Sequence, residues 1–261
     1  AFLLFGSNDV SARLASVLLG SALVILPLTL RRQLGPKVCL LASALLAISP
    51  VAVYVSRTLN SGIGVATGAL MIVSGFFNWV EDRRPRWLLL LAGGLALLLA
   101  SGSMAYSVLA VFGLIVLIQF TAFKALWAGE ETRSRDTADL RRAGIFFLVI
   151  LVLLSSTVLF NLKGLGVMAT SLSDWLSRFT FQARPDAGFN AIFLLTIYEP
   201  LLVLSGLTGL ALVILRRNLL TIVFAIWFLG LLLLDVSMAG RPNSNVILPL
   251  VPLAFLAAFA L

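Results

Sequence analysis

Residues 14–55 read LASVLLGSALVILPLTL, then RRQLGPK, then VCLLASALLAISPVAVYV. Two apolar stretches, Leu14–Leu30 and Val38–Val55, thus flank a turn that carries Arg31, Arg32 and Lys37. A hydrocarbon core about 30 Å thick takes roughly 20 apolar residues of helix, with a range of about 17–25. Lipid offers the backbone no hydrogen-bond partner, so stretches of this length and character fold as helices. Gly35 and Pro36 stop one helix and start the next, which returns the chain antiparallel. The same pattern continues outward through Ile63–Val80, Trp87–Ser103, Ala105–Phe123, Ala143–Phe160, Ala191–Leu215, Leu219–Val236 and Val246–Leu261. The fold class is all-α: a polytopic membrane bundle of about nine transmembrane helices, forming one transmembrane domain over residues 1–261.

The charges orient the bundle. Arg31, Arg32 and Lys37, then Arg83, Arg84 and Arg86, then Lys124, Arg133, Arg135, Arg141 and Arg142, then Arg216 and Arg217 occupy every second boundary. These are thirteen of the 19 basic residues, and the opposite boundaries hold Arg13, Arg57, Lys163, Arg178, Arg184 and Arg241. Positive residues in short loops stay in the cytoplasm, so the first set faces inward. The formal charge of +8 is therefore topological signal, and no nucleic-acid partner is expected.

Composition excludes other classes. The chain is 61% hydrophobic with a mean hydropathy of +1.09, far from a soluble domain. It contains no His, so His-based triads, His-ligated metals and imidazole relays are excluded within these residues. Cys39 is the single cysteine and cannot form an intramolecular disulfide; it reads as a small lipid- or helix-facing residue. No metal and no cofactor is expected. Neither a phosphate-cradling loop nor a dinucleotide fingerprint is present, and a transporter's pair of interrupted helices is not legible.

The connections differ between faces. Pro85 tightens the inner turn Arg83–Arg86, whereas Ala128–Arg142 mixes both signs and reads as a short solvated helix or surface loop. On the outer face, Ser101-Gly102-Ser103 divides Trp87–Phe123 into two helices. Residues 161–190 form the longest connection, an extracytoplasmic loop with Trp175, Phe179 and Phe181. Loops of that length act as lids or binding loops. Alternatively, Leu172–Phe181 lies as an amphipathic helix in the interface, with Trp175 and Phe179 toward lipid. The chain starts at Ala1 rather than Met and stops within an apolar stretch, as a fragment of a longer protein would.

Few outer polar residues could carry chemistry. Arg57, at the outer end of the second stretch, is costly beside lipid unless it snorkels or meets an anion. Its planar fork suits phosphate oxygens; an interfacial anchor reaching lipid head groups reads the position equally well. Arg13 sits near a helix start, where the dipole disfavours a cation, so an acidic partner or an anionic ligand is expected. Asp9 or Ser11 can cap that helix. Glu199, in Tyr198-Glu199-Pro200, is a carboxylate inside an apolar stretch and so a functional candidate, the alternative being a structural pair with Arg57 or Arg241. Asp235 and Arg241 flank the last outer turn and could pair with each other. Gly64, Gly68 and Gly75 share a face of the third stretch and read as a helix-packing surface.

Several segments together carry a resemblance. Gly6–Leu14, the stretch ending Leu30-Arg31-Arg32-Gln33-Leu34-Gly35, Leu40–Pro50 and Tyr54–Arg57 match one pair of helices. Glu81–Trp87 supplies a basic-Pro-aromatic inner turn, and Tyr198-Glu199-Pro200 leads into a helix ending Arg216-Arg217. These segments resemble the C-type superfold membrane glycosyltransferases, in the dolichyl-phosphate-mannose protein mannosyltransferase-like branch. The resemblance implies an inverting enzyme of hexosyltransferase type, in the bacterial or archaeal plasma membrane. It would transfer a sugar from a polyprenyl-phosphate donor to a protein, lipid or glycan acceptor on the outer face. It also implies a carboxylate base in an outer loop preceding Ala1, and substrate contacts at Arg57, Arg13 and Glu199; Arg241, in the last outer turn, is a further substrate-binding candidate by its position. The chain differs in carrying Thr58-Leu59-Asn60-Ser61 where the family often has an acidic residue, and Ser101-Gly102-Ser103 where it often has a Lys. The alternative is a non-enzymatic transporter or flippase-associated protein.

Overall fold

The structure is a computed structural model that describes residues 9–58, 60–120, 133–156, 163–179, 190–216, 218–238 and 243–261. Among the described residues every regular element is helical. Helix α1 (Asp9–Ile25) runs through a 3-10 turn (Leu26–Leu30) into the short α2 (Arg31–Leu34). Then follow α3 (Pro36–Ile48), α4 (Pro50–Arg57), α5 (Ser61–Asp82), α6 (Pro85–Ala100), α7 (Ala105–Ile118), α8 (Arg133–Ser155) and α9 (Lys163–Leu176). The chain ends with α10 (Asn190–Tyr198), α11 (Pro200–Arg216), α12 (Leu219–Ser237), a 3-10 turn (Asn243–Val246) and α13 (Ile247–Ala260).

Within the described residues each apolar stretch of the sequence is helical, but two of them are broken. Val38–Val55 splits into α3 and α4, bent by 61° at Ser49-Pro50; Ala191–Leu215 splits into α10 and α11, bent by 111° at Glu199-Pro200. Proline removes an N–H and pushes the preceding residue out of the helical region, and Ser49 duly adopts ψ 119°. The expectation that no interrupted pair is present is therefore overturned. Three helical segments are long and apolar enough to cross a membrane alone (Arg13–Leu34, Ser61–Asp82 and Leu219–Ser237), or five if each bent pair is one span. Pro85–Ala100, Ala105–Ile118 and Ile247–Ala260 are shorter apolar helices. The protein is a multi-pass membrane protein.

The turns obey the chemistry of their residues. Gly35 takes φ +87° ahead of Pro36, and Arg83, in the left-handed region at φ +50°, ends α5 before Pro85 opens α6. Arg32 pairs with Asp82, and Gln33 Nε2 donates to Glu81 at 2.7 Å. The first two basic turns therefore meet at one end of the bundle, as the charge alternation requires. Arg83 lies over the Trp79 ring and Arg86 over the Trp87 ring, at 4.7 and 4.8 Å from the ring centres. Aromatic and basic residues paired in this way suit a membrane boundary. Ser101–Ser103 turns at the opposite end, with Gly102 at φ +113°.

Close packing holds α5 to α6. A Cβ on Gly68 would sit 2.7 Å from the Gly94 carbonyl, and one on Gly75 would sit 2.7 Å from the Leu91 amide nitrogen. The expected packing role of these glycines is what the structure shows. At the centre lies α13, buried over almost its whole length among α3, α5, α11 and α12. Gly206 and Gly209 of α11 admit Leu253 and Leu256, and Phe224 of α12 stacks on Phe255 at 4.2 Å. Cys39 is fully buried in this core. On the flank, α8 packs on α6 through Ala143, Leu88 and Ala92. Of Ala128–Arg142, expected as a separate helix or loop, 128–132 lie outside the described residues and Arg133–Arg142 is the polar start of α8 itself.

Candidate functional site

The two breaks meet. Glu199 is 6% exposed, and its Oε1 accepts from the Ser49 hydroxyl and, at 3.1 Å, from the Val51 backbone N–H. Ser49 Oγ in turn accepts from the Ala52 N–H at 3.1 Å. The first amides of α4 have no partner within the helix, so Ser49 and Glu199 together complete its N-terminus. A carboxylate there also complements the helix dipole, and Arg57 in the last turn of α4 complements the other end. Val51 and Arg57 stand about 9 Å apart along the axis at the usual helical rise. Glu199 and Arg57 thus occupy opposite ends of α4 and do not form the pair that the sequence offered as an alternative. Arg241 lies outside the described residues.

Beside this junction is a cavity of about 420 Å³ lined by Pro50, Val51, Tyr54 and Val55 of α4, Leu194 and Tyr198 of α10, and Val246. The walls are mostly apolar, and the two tyrosines among them are well exposed. Pro50 and Tyr54 are one turn apart, and Arg57 continues that stripe at the end of α4. The cavity thus has an apolar wall with the Arg57 position in register beyond it.

The remaining candidates are placed as follows. Arg13 is exposed on α1, and among the described residues neither it nor Arg57 has a carboxylate within 4.0 Å. Helix α4 crosses α1 at Gly20, against Ser56, so Arg57 emerges one residue beyond that crossing. The side chains of Asp9 and Ser11 lie outside the described residues, as does 180–189 in the outer loop. Trp175 is turned inward, contrary to the lipid-facing expectation. Its Nε1 donates to Ser107 Oγ at 2.8 Å, and its ring lies 6.1 Å from Tyr106 and 4.9 Å from Phe179. An indole N–H at a lipid boundary needs an acceptor, and Ser107 supplies it. No group of three or more His, Cys, Asp or Glu residues able to hold a metal occurs among the described residues.

Sequence reading missed the junction itself. Its signal was present in the two X-Pro steps, Ser49-Pro50 and Glu199-Pro200, each placed inside an apolar run.

The sequence profile of the dolichyl-phosphate-mannose-protein mannosyltransferase family matches residues 1–155. The chain belongs to that family. Its fold is similar to the crystal structure of ArnT from Cupriavidus metallidurans in the apo state, with a TM-score of 0.69 at 17% identity. The similarity covers 99% of this chain and 47% of ArnT, so the chain spans about half the length of that protein. No curated protein sequence matches it. The family match includes both α4 and Arg57, whereas Glu199 and the α10–α11 break lie beyond it.

Proposed function

We propose that this protein is a membrane glycosyltransferase of hexosyltransferase type that uses a polyprenyl-phosphate-linked sugar. It transfers the sugar, with inversion, to a protein, lipid or glycan acceptor at the outer face of a bacterial or archaeal plasma membrane. The observation that carries the reading is the apolar cavity of about 420 Å³ along α4, with Arg57 next on the same stripe. Family membership supports the same donor class. A polyprenyl phosphate joins a hydrocarbon chain to an anion, and this wall presents its apolar surface and its cation in that order. The phosphate binds Arg57, with Arg13 and Arg241 as the further outer cations. Glu199 acts through α4: it fixes the half-helix that carries the cavity wall and Arg57.

In the reaction an acceptor oxygen forms a bond to the anomeric carbon as the bond from that carbon to the phosphate oxygen breaks. The acceptor's proton passes to a carboxylate, which the family resemblance puts ahead of Ala1. The electron pair leaves on polyprenyl phosphate, where a guanidinium stabilises the growing charge. The two interrupted helices favour one rival, a transporter or flippase-associated protein, because transporters build their sites at such breaks. The test is turnover of the full-length protein in liposomes with a polyprenyl-phosphate sugar. Release of polyprenyl phosphate that falls in Arg57→Ala supports the enzyme; movement of intact donor across the bilayer without release supports the rival.

A further inference from the structure

A second, much smaller cavity adjoins the same 3-10 turn as the apolar one. Val246 lines the first, and its neighbour Asn245 lines the second, together with Ser107, Asp235, Leu231, Met238 and Leu248. Its volume is about 20 Å³. About 10–15 Å³ of such space is enough for one water-sized group, so the pocket admits a single hydroxyl and no ring.

Hydrogen-bond accounting singles out Asn245. It is 6% exposed, and among the described residues neither its Oδ1 nor its Nδ2 has a partner. Ser107 is already committed, accepting from Trp175 Nε1 at 2.8 Å and donating to Met238 Sδ at 3.6 Å. A buried carboxamide left unpaired is costly, and both its donor and its acceptor call for a partner. A hydroxyl can accept from Nδ2 and donate to Oδ1; a carboxylate or a phosphate cannot donate, and an ammonium cannot accept. Ser107 is preceded in α7 by Tyr106, whose ring lies 6.1 Å from that of Trp175.

We propose that Asn245 seats one hydroxyl of the donor's sugar, and so selects the sugar. This rests on the donor reading above. Consecutive residues form the walls of the two cavities, so a lipid chain against Val246 lies one residue along the backbone from Asn245. The sugar's ring stays outside the pocket and offers one hydroxyl to it.

The experiment titrates full-length protein in detergent with farnesyl-phosphoryl mannose, each of its monodeoxy analogues, and sugar-free farnesyl phosphate. Wild type should bind one monodeoxy analogue about 10–100-fold more weakly than the parent. Asn245→Leu should bind parent and that analogue alike, at the weaker level, and bind farnesyl phosphate as wild type does. Asn245→Val removes both the donor and the acceptor in a smaller side chain; it should show the same loss of discrimination should the leucine variant fail to fold. If both variants discriminate as wild type does, the pocket holds only a resident water and the inference is overturned while the donor reading stands. Wild type that binds no farnesyl compound overturns the donor reading and this inference with it.

Discussion

Glu199 Oε1 accepts from both the hydroxyl of Ser49 and the amide of Val51, and so ties together two proline breaks 150 residues apart in sequence. Each break alone leaves first-turn amides unpaired; joined, the carboxylate of one completes the helix start of the other. The junction also explains how a carboxylate survives inside an apolar stretch with no arginine partner among the described residues: it is spent on α4.

The consequence for Glu199 is a sharp ranking of variants. Glu199→Gln retains an acceptor oxygen for Ser49 and Val51 and should keep the fold and some activity. Glu199→Ala leaves both donors unpaired in a buried site, which costs on the order of 1–3 kcal/mol each. Thermal unfolding of the full-length protein in detergent should therefore place Ala well below Gln. The double variant with Ser49→Ala should be less destabilised than the sum of the single changes, because the two side chains act on one another. Additive losses would separate Ser49 from Glu199.

Much of this architecture was legible because long apolar runs permit few structures. Leu14–Leu30 and its successors had to be helical, and Gly35, Pro36, Arg83 and Pro85 bound the turns where the charges placed them. The breaks were less legible. Hydropathy averages across Pro50 and Pro200, so an apolar run looks continuous whether or not its backbone is. Glu199's partners were not legible at all, since one is a backbone amide and the other a serine far away in sequence. Trp175 misled for a related reason: its ring suits lipid, but its N–H bond to Ser107 turned it inward. Asn245 sits in a polar outer turn, and only the fold reveals that its amide is buried.

The orientation has a direct test in whole cells. Cys39 is fully buried, so a Cys39→Ala background should fold and stay silent toward a membrane-impermeant thiol reagent. Single cysteines in place of Arg32, Arg84 or Arg217 should resist that reagent, and one in place of Ser173 should react. Labelling of the first group from outside would reverse the topology and remove every outer-site assignment.

The glycines give a prediction with opposite signs at two positions. At Gly68 a new Cβ meets the Gly94 carbonyl at 2.7 Å, where backbone rather than a flexible side chain must give way. Overpacking of this kind costs about 1–3 kcal/mol, so Gly68→Ala should lower the unfolding temperature. Gly113 lies within α7, with nothing among the described residues within 4 Å of where a Cβ would sit. Gly113→Ala should raise stability by roughly 0.5–1 kcal/mol through helix propensity. Equal effects at the two sites would mean that α5 and α6 are not held by backbone approach.

Arg57 separates the binding role from the structural one. As a cation in the last turn of α4 it is worth about 0.3–1 kcal/mol to the helix, and Lys would serve that role equally well. As a phosphate ligand it forms charge-assisted hydrogen bonds worth about 1.5–3 kcal/mol, in a fork that Lys cannot reproduce. Arg57→Ala should therefore cut transfer on the order of 10–100-fold without reducing membrane insertion, while Arg57→Lys restores stability fully and transfer only in part. The two readouts must diverge in the Lys variant. If Lys restores transfer as completely as stability, or if Ala turns over near normally, Arg57 is an anchor for α4 at the membrane surface, and the phosphate must be held by another outer cation.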